Sequence, residues 1–507
     1  MTNSGDSPRS DRRKRIGEIT LVVISLSLLA SAFAFWVFKH GYVLWWGDAQ
    51  AHLNNSRAII DSRTPGYDQL GTVWLPLLQL LCLPLVTNDW LWSSGLAGAI
   101  PVAACFVIAG TCFYLAARDV YGDLVSAVAV LGCFVLNPNV LYLASIPMTE
   151  IVFLAGLSVL ILSLLRFRHT QQRRFLVAGV AASWWMSLTR YDGWFLIPFA
   201  AFAFALFAGQ RRLLILILFG SMAGLAPGYW LAHNWWETSN PLDFYNGPYS
   251  AIAIQGPQSY PGYHDWHTAI RYYAEAGKLC AGWPLILLGT FGLLCLVVKR
   301  KAFPVAFLFL TPVFYIWSMH SSGNPIFLPT FWKGSYYNTR YGIAVVPLAA
   351  FAAGAIVFAL PQKAKRLGLV LPLLCLAPWL AHASKDDWIC WKESQVNSVS
   401  RRAWTGAGAK FLLAHYRLGQ GILAGFGDVP GIFCQAGIHL QETLNIGNGP
   451  EWSATTTRPD LVHRELWAVA REGDFLWQAL KDSKVYVPVE EIRADKAPTL
   501  IIYRRTR

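Results

Sequence analysis

Charged side chains are scarce in this sequence: they make up 14% of its 507 residues, where an ordinary soluble domain carries about 25%. With 55% hydrophobic residues, that scarcity excludes a soluble globular protein, whose surface cannot hold so much apolar area. Nucleotide motifs are missing too. No Gly-x-Gly-x-x-Gly fingerprint, P-loop or Gly-x-Ser-x-Gly elbow occurs, which removes nucleotide-dependent and serine-hydrolase readings. The nine cysteines show no Cys-x-x-Cys spacing and no neighbouring histidine ligands, so neither zinc nor a disulfide scaffold is indicated. Cys390 and Cys434 can pair if both lie outside the membrane. No internal repeat or low-complexity segment stands out.

What the chain has instead is a series of apolar runs long enough to cross about 30 Å of hydrocarbon. Length and flanking residues place about eleven spans, near 16–38, 95–116, 124–141, 151–166, 175–189, 194–208, 213–232, 283–298, 303–318, 342–360 and 367–382. The first follows a basic tail over 1–15, with Arg9, Arg12, Arg13, Lys14 and Arg15. It is too long for a signal-peptide core of roughly 7 to 15 residues and reads as a retained span. Tryptophan and tyrosine gather near span ends, as in Trp36, Trp45, Trp46, Trp90 and Trp92, which suits interfacial belts.

The net charge of +13 sits in small clusters between apolar segments, a pattern that orients spans and does not describe a nucleic-acid face. With the N-terminus cytoplasmic, the inner loops carry Arg118, Arg166 to Arg174, Gln210 to Arg212, Lys299 to Lys301 and Lys363 to Arg366. Each is basic, as the positive-inside rule requires. The run Val73 to Val86 breaks this parity if counted as a span. It is short and holds Pro76 and Pro84, so it is expected to be a juxtamembrane or re-entrant piece of the first outer loop, 39–94.

The outer face then receives that loop, the loop Pro138 to Glu150, the segment His233 to Gly282, the stretch His320 to Arg340 and everything after Ser384. The last part, 383–507, mixes charge with short β-like runs (Gly421 to Phe426, Lys484 to Val489, Thr499 to Tyr503) and helical stretches around Ala409 and Leu466. It reads as a small non-cytoplasmic α/β domain.

Four outer motifs carry ionisable groups. In Gly47-Asp48-Ala49-Gln50-Ala51-His52, Asp48 either caps the following helix or accepts the proton of an attacking hydroxyl, with His52 beside it as a substrate contact. In Met148-Thr149-Glu150 the acid is either a cap or a functional carboxylate at the membrane edge. In Thr189-Arg190-Tyr191-Asp192-Gly193, Arg190 opposes the usual charge bias. It either holds a phosphate through its planar fork or pairs with Asp192. In Lys333 to Tyr341, Lys333 and Arg340 suit a phosphate leaving group, while Tyr337 and Tyr341 either stack on a sugar or anchor at the interface. His320, at an outer span end, either serves the structure or contacts phosphate or sugar.

Taken in order, from roughly Gly41 to Gly354, these motifs resemble the GT-C superfamily of integral membrane glycosyltransferases. The likeness is to the bacterial branch similar to lipopolysaccharide glycosyltransferases, aminoarabinose transferases and protein O-mannosyltransferases. The carrying residues are Asp48, the stretch Thr72-Val73-Trp74-Leu75-Pro76-Leu77, Met148-Thr149-Glu150, Thr189 through Pro198, and Arg340-Tyr341 with Pro347. The double acid of the protein O-mannosyltransferases is absent, since Asp48 precedes Ala49. That distances the chain from them and weakens a metal role, because a divalent ion wants several oxygen ligands.

The resemblance implies a polytopic α-helical GT-C fold over 16–382, in a bacterial inner membrane, and transfer of a sugar, hexosyl or pentosyl, from a polyprenyl-phosphate donor. The acceptor is a lipid, glycan or protein hydroxyl. Asp48 is expected as general base with Glu150 assisting, Arg190, Lys333 and Arg340 as donor-phosphate ligands, and His52, Asp192, His320, Tyr337 and Tyr341 as substrate contacts. No cofactor is expected, a divalent metal being possible but not indicated. The rival readings are a transporter or flippase of lipid-linked sugars, which tends to place charges at the midplane between related halves, and a non-catalytic binding subunit of the same fold.

Overall fold

The computed structural model describes residues 8–256, 259–299, 303–381, 384–425, 429–461 and 464–506, and the side chains from Lys14 onward within them. The start of the expected cytoplasmic tail, Lys301 of the expected inner loop, residue 383 and Phe426 lie outside the described residues.

The chain is an integral membrane protein built mainly of helices. Six of the described helices are long and apolar enough to cross a bilayer: Lys14–Lys39, Leu96–Tyr121, Thr149–Thr170, Arg212–Thr238, Phe303–Ser321 and Thr339–Ala359. A seventh crossing arises if Trp266–Ala281 and Trp283–Val298, bent by 109°, count as one span. The sequence expectation was about eleven. Helices occupy all eleven expected places, but several are short: Leu124–Val135 has 12 residues and Leu371–Ala381 has 11. At 1.5 Å per residue such helices cover about 17 Å, little more than half the hydrocarbon core. Hydropathy registers apolar content; turn chemistry decides where a helix stops. Gly122 (φ 75°) ends Leu96–Tyr121, and the Asp123 carboxylate accepts the Ser126 amide to start the next helix. Gly282 (φ 82°) makes the 109° bend, a conformation open to glycine at little cost.

The core forms around Thr149–Thr170, the most enclosed of these helices, packed against Leu96–Tyr121. Elsewhere small residues bring backbones together: Gly289 and Gly292 lie against Ala349, Ala352 and Ala353 of Val345–Ala359, the close approach that membrane helices use in place of hydrophobic drive. The run Val73 to Val86 holds only the short helix Leu77–Cys82.

Ionic groups gather at two opposite ends of the bundle. At one end Arg118 pairs with Glu18, and Asp119 with both Arg15 and Arg166. At the other stand Asp48, Glu150, Arg190 and Arg340. Glu150 and Arg166 begin and end one helix, about 24 Å apart along its axis.

Beyond the bundle, the helix Ile389–His415 leads into a five-stranded mixed sheet with strand order β2-β1-β3-β5-β4. Its strands are β1 (Ile422–Ala424), β2 (Thr443–Leu444), β3 (Trp467–Arg471), β4 (Tyr486–Ile492) and β5 (Leu500–Arg505). β1 runs parallel to β2 and β3, and β5 antiparallel to β3 and β4. The expected helix around Leu466 is β3 instead: Trp467 to Ala470 are buried on both faces, so the run lacks the alternation by which a half-exposed strand is read. The Cys390–Cys434 pairing is not observed. Cys390 Sγ lies 4.0 Å from Cys280 Sγ, and all nine cysteines are free thiols.

Candidate active site

The helix Gly47–Ala58 presents Asp48 in its opening turn. Trp46 occupies the capping position, and no side chain caps the helix. The Asp48 carboxylate turns away from the helix amides to accept a hydrogen bond from Arg340 Nη2 at 2.6 Å. Its side chain remains 40% exposed, so one face is open to a substrate.

Glu150 occupies the equivalent first-turn position of Thr149–Thr170 and is 1% exposed. Its Oε1 accepts from Arg340 Nε at 3.0 Å and from Arg190 Nη1 at 3.1 Å. Its Oε2 is buried without a partner among the described residues. One carboxylate thus spaces two guanidinium groups. Arg190 also donates to Thr149 Oγ1 at 2.7 Å, and its Nε lies 3.5 Å from Asp192 Oδ1. Arg190 thus stands in ion pairs with Asp192 and Glu150 while bordering the cavity described below. Asp192 Oδ2 accepts from the Tyr315 hydroxyl at 2.9 Å.

Aromatic faces enclose the charges. Arg340 lies over Trp46 at 4.4 Å, and Arg190 over Tyr341 at 5.1 Å. Tyr341 stacks on Tyr315 at 4.9 Å. Such contacts hold guanidinium planes where water is scarce. His52, one turn after Asp48, packs at a tilt against Trp74, with ring centroids 4.4 Å apart. Burial pushes its pKa down to about 4 against the opposing pull of Asp48 and Glu150, so the imidazole is neutral at neutral pH.

These groups border one cavity of about 470 Å³. Asp48, His52, Arg190, Asp192, Arg340 and Tyr341 line it, and Trp194, Phe195, Phe314 and Trp317 make an apolar wall. Four expected site residues do not join its lining: Glu150, buried against Arg190 and Arg340, and Lys333, Tyr337 and His320. Lys333 is exposed and lies over the rings of Phe327 and Trp332 at 4.9 and 5.2 Å. Its strand-like neighbour Tyr337 bridges to Phe327. His320 stacks on Trp266 at 3.9 Å and shares a 2.7 Å hydrogen bond with Ser321. Lys333 thus makes aromatic contacts, while Tyr337 stays close enough to Arg340 and Asp48 for their charges to act on its hydroxyl. Among the described residues no group of three or more His, Cys, Asp or Glu is arranged to hold a metal ion.

The residue that sequence reading missed is Glu393. It is buried, 3.9 Å from Arg340 Nη1, and accepts the backbone amides of Asn338 and Thr339. Burial raises its pKa, while Arg340 and these hydrogen bonds act in the opposite direction. Its only signal was an acid just after the apolar run Trp388-Ile389-Cys390-Trp391, paired in sequence with Lys392.

No protein-family model matches the chain, and no curated protein sequence matches it. Among solved structures it is similar to ArnT from Cupriavidus metallidurans bound to undecaprenyl phosphate. The identity is 14%, the TM-score 0.60, and the match covers 94% of this chain and 97% of that one. Against the apo state of the same protein the identity is 15% and the TM-score 0.59, over the same shares of both chains. At this identity the likeness shows the fold: the chain is folded like ArnT over nearly its whole length.

Proposed function

We propose that this GT-C-fold protein is a glycosyltransferase that moves a hexosyl or pentosyl group from a polyprenyl phosphate to an acceptor hydroxyl on the non-cytoplasmic membrane face. The observation that carries the reading is the juxtaposition, in one aromatic-walled cavity, of a half-open carboxylate and two guanidinium groups: Asp48 with Arg340 and Arg190. The similar ArnT structure, bound to undecaprenyl phosphate, supports a lipid phosphate as the donor's leaving group.

The chemistry is a single displacement. Asp48 takes the proton from the acceptor hydroxyl as its oxygen bonds to the anomeric carbon. The bond from that carbon to the phosphate oxygen breaks, and the electron pair leaves with the polyprenyl phosphate. Configuration inverts because entry and departure use opposite faces. Arg190 and Arg340 face the growing negative charge, and low surrounding polarity strengthens that interaction. Glu150 keeps the two cations apart and oriented. The inner-membrane setting, with the N-terminus cytoplasmic and the C-terminal sheet on the catalytic side, belongs to the same proposal. The acceptor is a lipid, glycan or protein.

The test is transfer from a mixture of undecaprenyl-phosphate sugars into membrane extracts by the purified protein, with an Asp48→Asn variant that inserts equally well. Transfer by the wild type and its loss in the variant support the reading. Equal rates remove Asp48 as the base, and no transfer by either returns a transporter or a binding subunit.

A further inference from the structure

Arg340 is held in place by a residue from outside the bundle. It follows a turn in which Asn338 takes a left-handed conformation (φ 55°), a region that asparagine enters more readily than most residues with a side chain. A single carboxylate collects that turn. Glu393 Oε1 accepts the Asn338 amide at 2.7 Å, and Oε2 accepts the Thr339 amide at 2.8 Å as well as the Thr339 hydroxyl. Asn338 Nδ2 donates to Pro325 O at 3.0 Å, and the Cys280 thiol donates to Thr339 O at 3.3 Å. With the turn so held, Arg340 reaches Asp48 and Glu150 at the same time. Glu393 itself is not part of the cavity lining.

Glu393 belongs to Ile389–His415, the helix that continues into the C-terminal sheet and packs there through Trp404 and Leu412. Eight residues further along, about 12 Å by helix rise, the same helix presents Arg401. That side chain donates to Trp45 O at 2.5 Å and to Gln50 Oε1 at 3.1 Å. Trp45 and Gln50 flank Asp48 in sequence. One helix therefore grips both halves of the Asp48–Arg340 pair, the turn before Arg340 through Glu393 and the start of the Asp48 helix through Arg401.

We infer that Glu393 is a positioning residue, which fixes the 338–340 turn so that Arg340 bridges Asp48 and Glu150, making the helix after residue 389 a structural part of the active site. The inference rests on the proposed transferase reading for its kinetic consequence only. A glutamine in place of Glu393 keeps the size but has one acceptor oxygen, and its amide group opposes the second backbone donor.

The experiment compares Glu393→Gln and the milder Thr339→Val in the full-length protein in detergent. Hydrogen exchange is read over the peptide containing Asn338 to Arg340, and sugar transfer from undecaprenyl-phosphate donors is measured alongside. Exchange in that peptide is expected to rise at least about tenfold in Glu393→Gln, with other protected regions unchanged, and kcat to fall about 10- to 100-fold with little change in acceptor KM. In an Arg340→Lys background the substitution is expected to have almost no further effect on kcat, because the group it positions is already lost. Unchanged exchange in both variants overturns the inference. So does a loss of kcat of the same size in both backgrounds, which marks a merely structural role. If the wild type transfers no sugar, the proposed reaction fails, while the exchange data still decide whether Glu393 holds the turn.

Discussion

Arg340 Nη2 lies 2.6 Å from Asp48 Oδ2 although 292 residues of chain separate them. The same guanidinium reaches Glu150 through Nε at 3.0 Å. A planar fork can serve two acids in different directions at once, whereas an ammonium is a point charge on a flexible stem. Arg340→Lys is therefore expected to lower transfer about 100-fold while the protein still inserts and folds. Initial rates at saturating donor, with thermal unfolding as the control, check this.

Asp48 is the complementary case. Its side chain is partly exposed, and Arg340 keeps Glu150 as a partner when Asp48 loses its charge. Asp48→Asn is expected to reduce transfer by about 10²- to 10⁴-fold, the worth of a general base, with little change in unfolding temperature. A variant that keeps full activity sinks the proposed role.

His52 links the site to pH. Its folded-state pKa, near 4, lies below the ordinary value of 6.5, chiefly through burial. Between those values the unfolded chain binds the proton and the folded chain does not, so folding is opposed increasingly as pH falls. Its neutral burial is fully compatible with folding above about pH 6.5, and the associated stability is lost as pH drops from 6.5 towards 4, to a total of roughly 3 kcal/mol. Denaturation of the wild type from pH 7.5 to 4.5 is expected to show this slope. His52→Phe, which keeps a ring against Trp74, is expected to flatten it.

A second prediction on stability concerns the far end of the Asp48 helix. Buried Arg57 pairs with Asp61 at 2.6 Å and Asp89 at 2.8 Å, donates to Val86 O, and meets His439 of the C-terminal part at 3.0 Å. Arg57→Ala takes from buried Asp61 its one guanidinium partner and leaves it His439 Nδ1 at 3.2 Å and the Gln441 amide at 3.4 Å. The expected loss is about 3–5 kcal/mol, accompanied by faster proteolysis in the segment around His439. Urea titration in detergent and time-course digestion measure the two effects.

Gly193 closes the turn that carries Arg190 and Asp192. A Cβ added there stands 2.5 Å from the Met186 carbonyl carbon and 2.7 Å from its oxygen, and backbone cannot give way as a side-chain tip can. Gly193→Ala is expected to cost about 1–3 kcal/mol and to lower transfer by shifting Arg190. Preserved stability and activity together contradict the geometry.

Much of this architecture is written locally. The apolar runs, their basic flanks and the short proline-bearing stretch after Thr72 follow from the solvent the chain meets, because hydrocarbon satisfies no backbone polar group and tolerates few charges. The ordered outer motifs identified five of the cavity's ionic or polar groups, Asp48, His52, Arg190, Asp192 and Arg340, together with Tyr341. Helix ends were less legible. Leu124–Val135 starts at the Asp123 cap and stops before Asn137-Pro138, and such stops depend on neighbours as much as on composition.

The sequence by itself determined that the chain lies in a membrane, which of its apolar runs are helical and which acids and cations stand at their ends, since each of these depends on residues within a turn or two. Only the tertiary structure decided which of those groups meet. It brings Arg340 to Asp48, sends Lys333 and His320 to separate aromatic contacts, and recruits Glu393 from beyond the bundle. The physical reason is range: burial preference and turn chemistry act between neighbours in the chain, whereas an ion pair across 292 residues exists only after the intervening helices have packed.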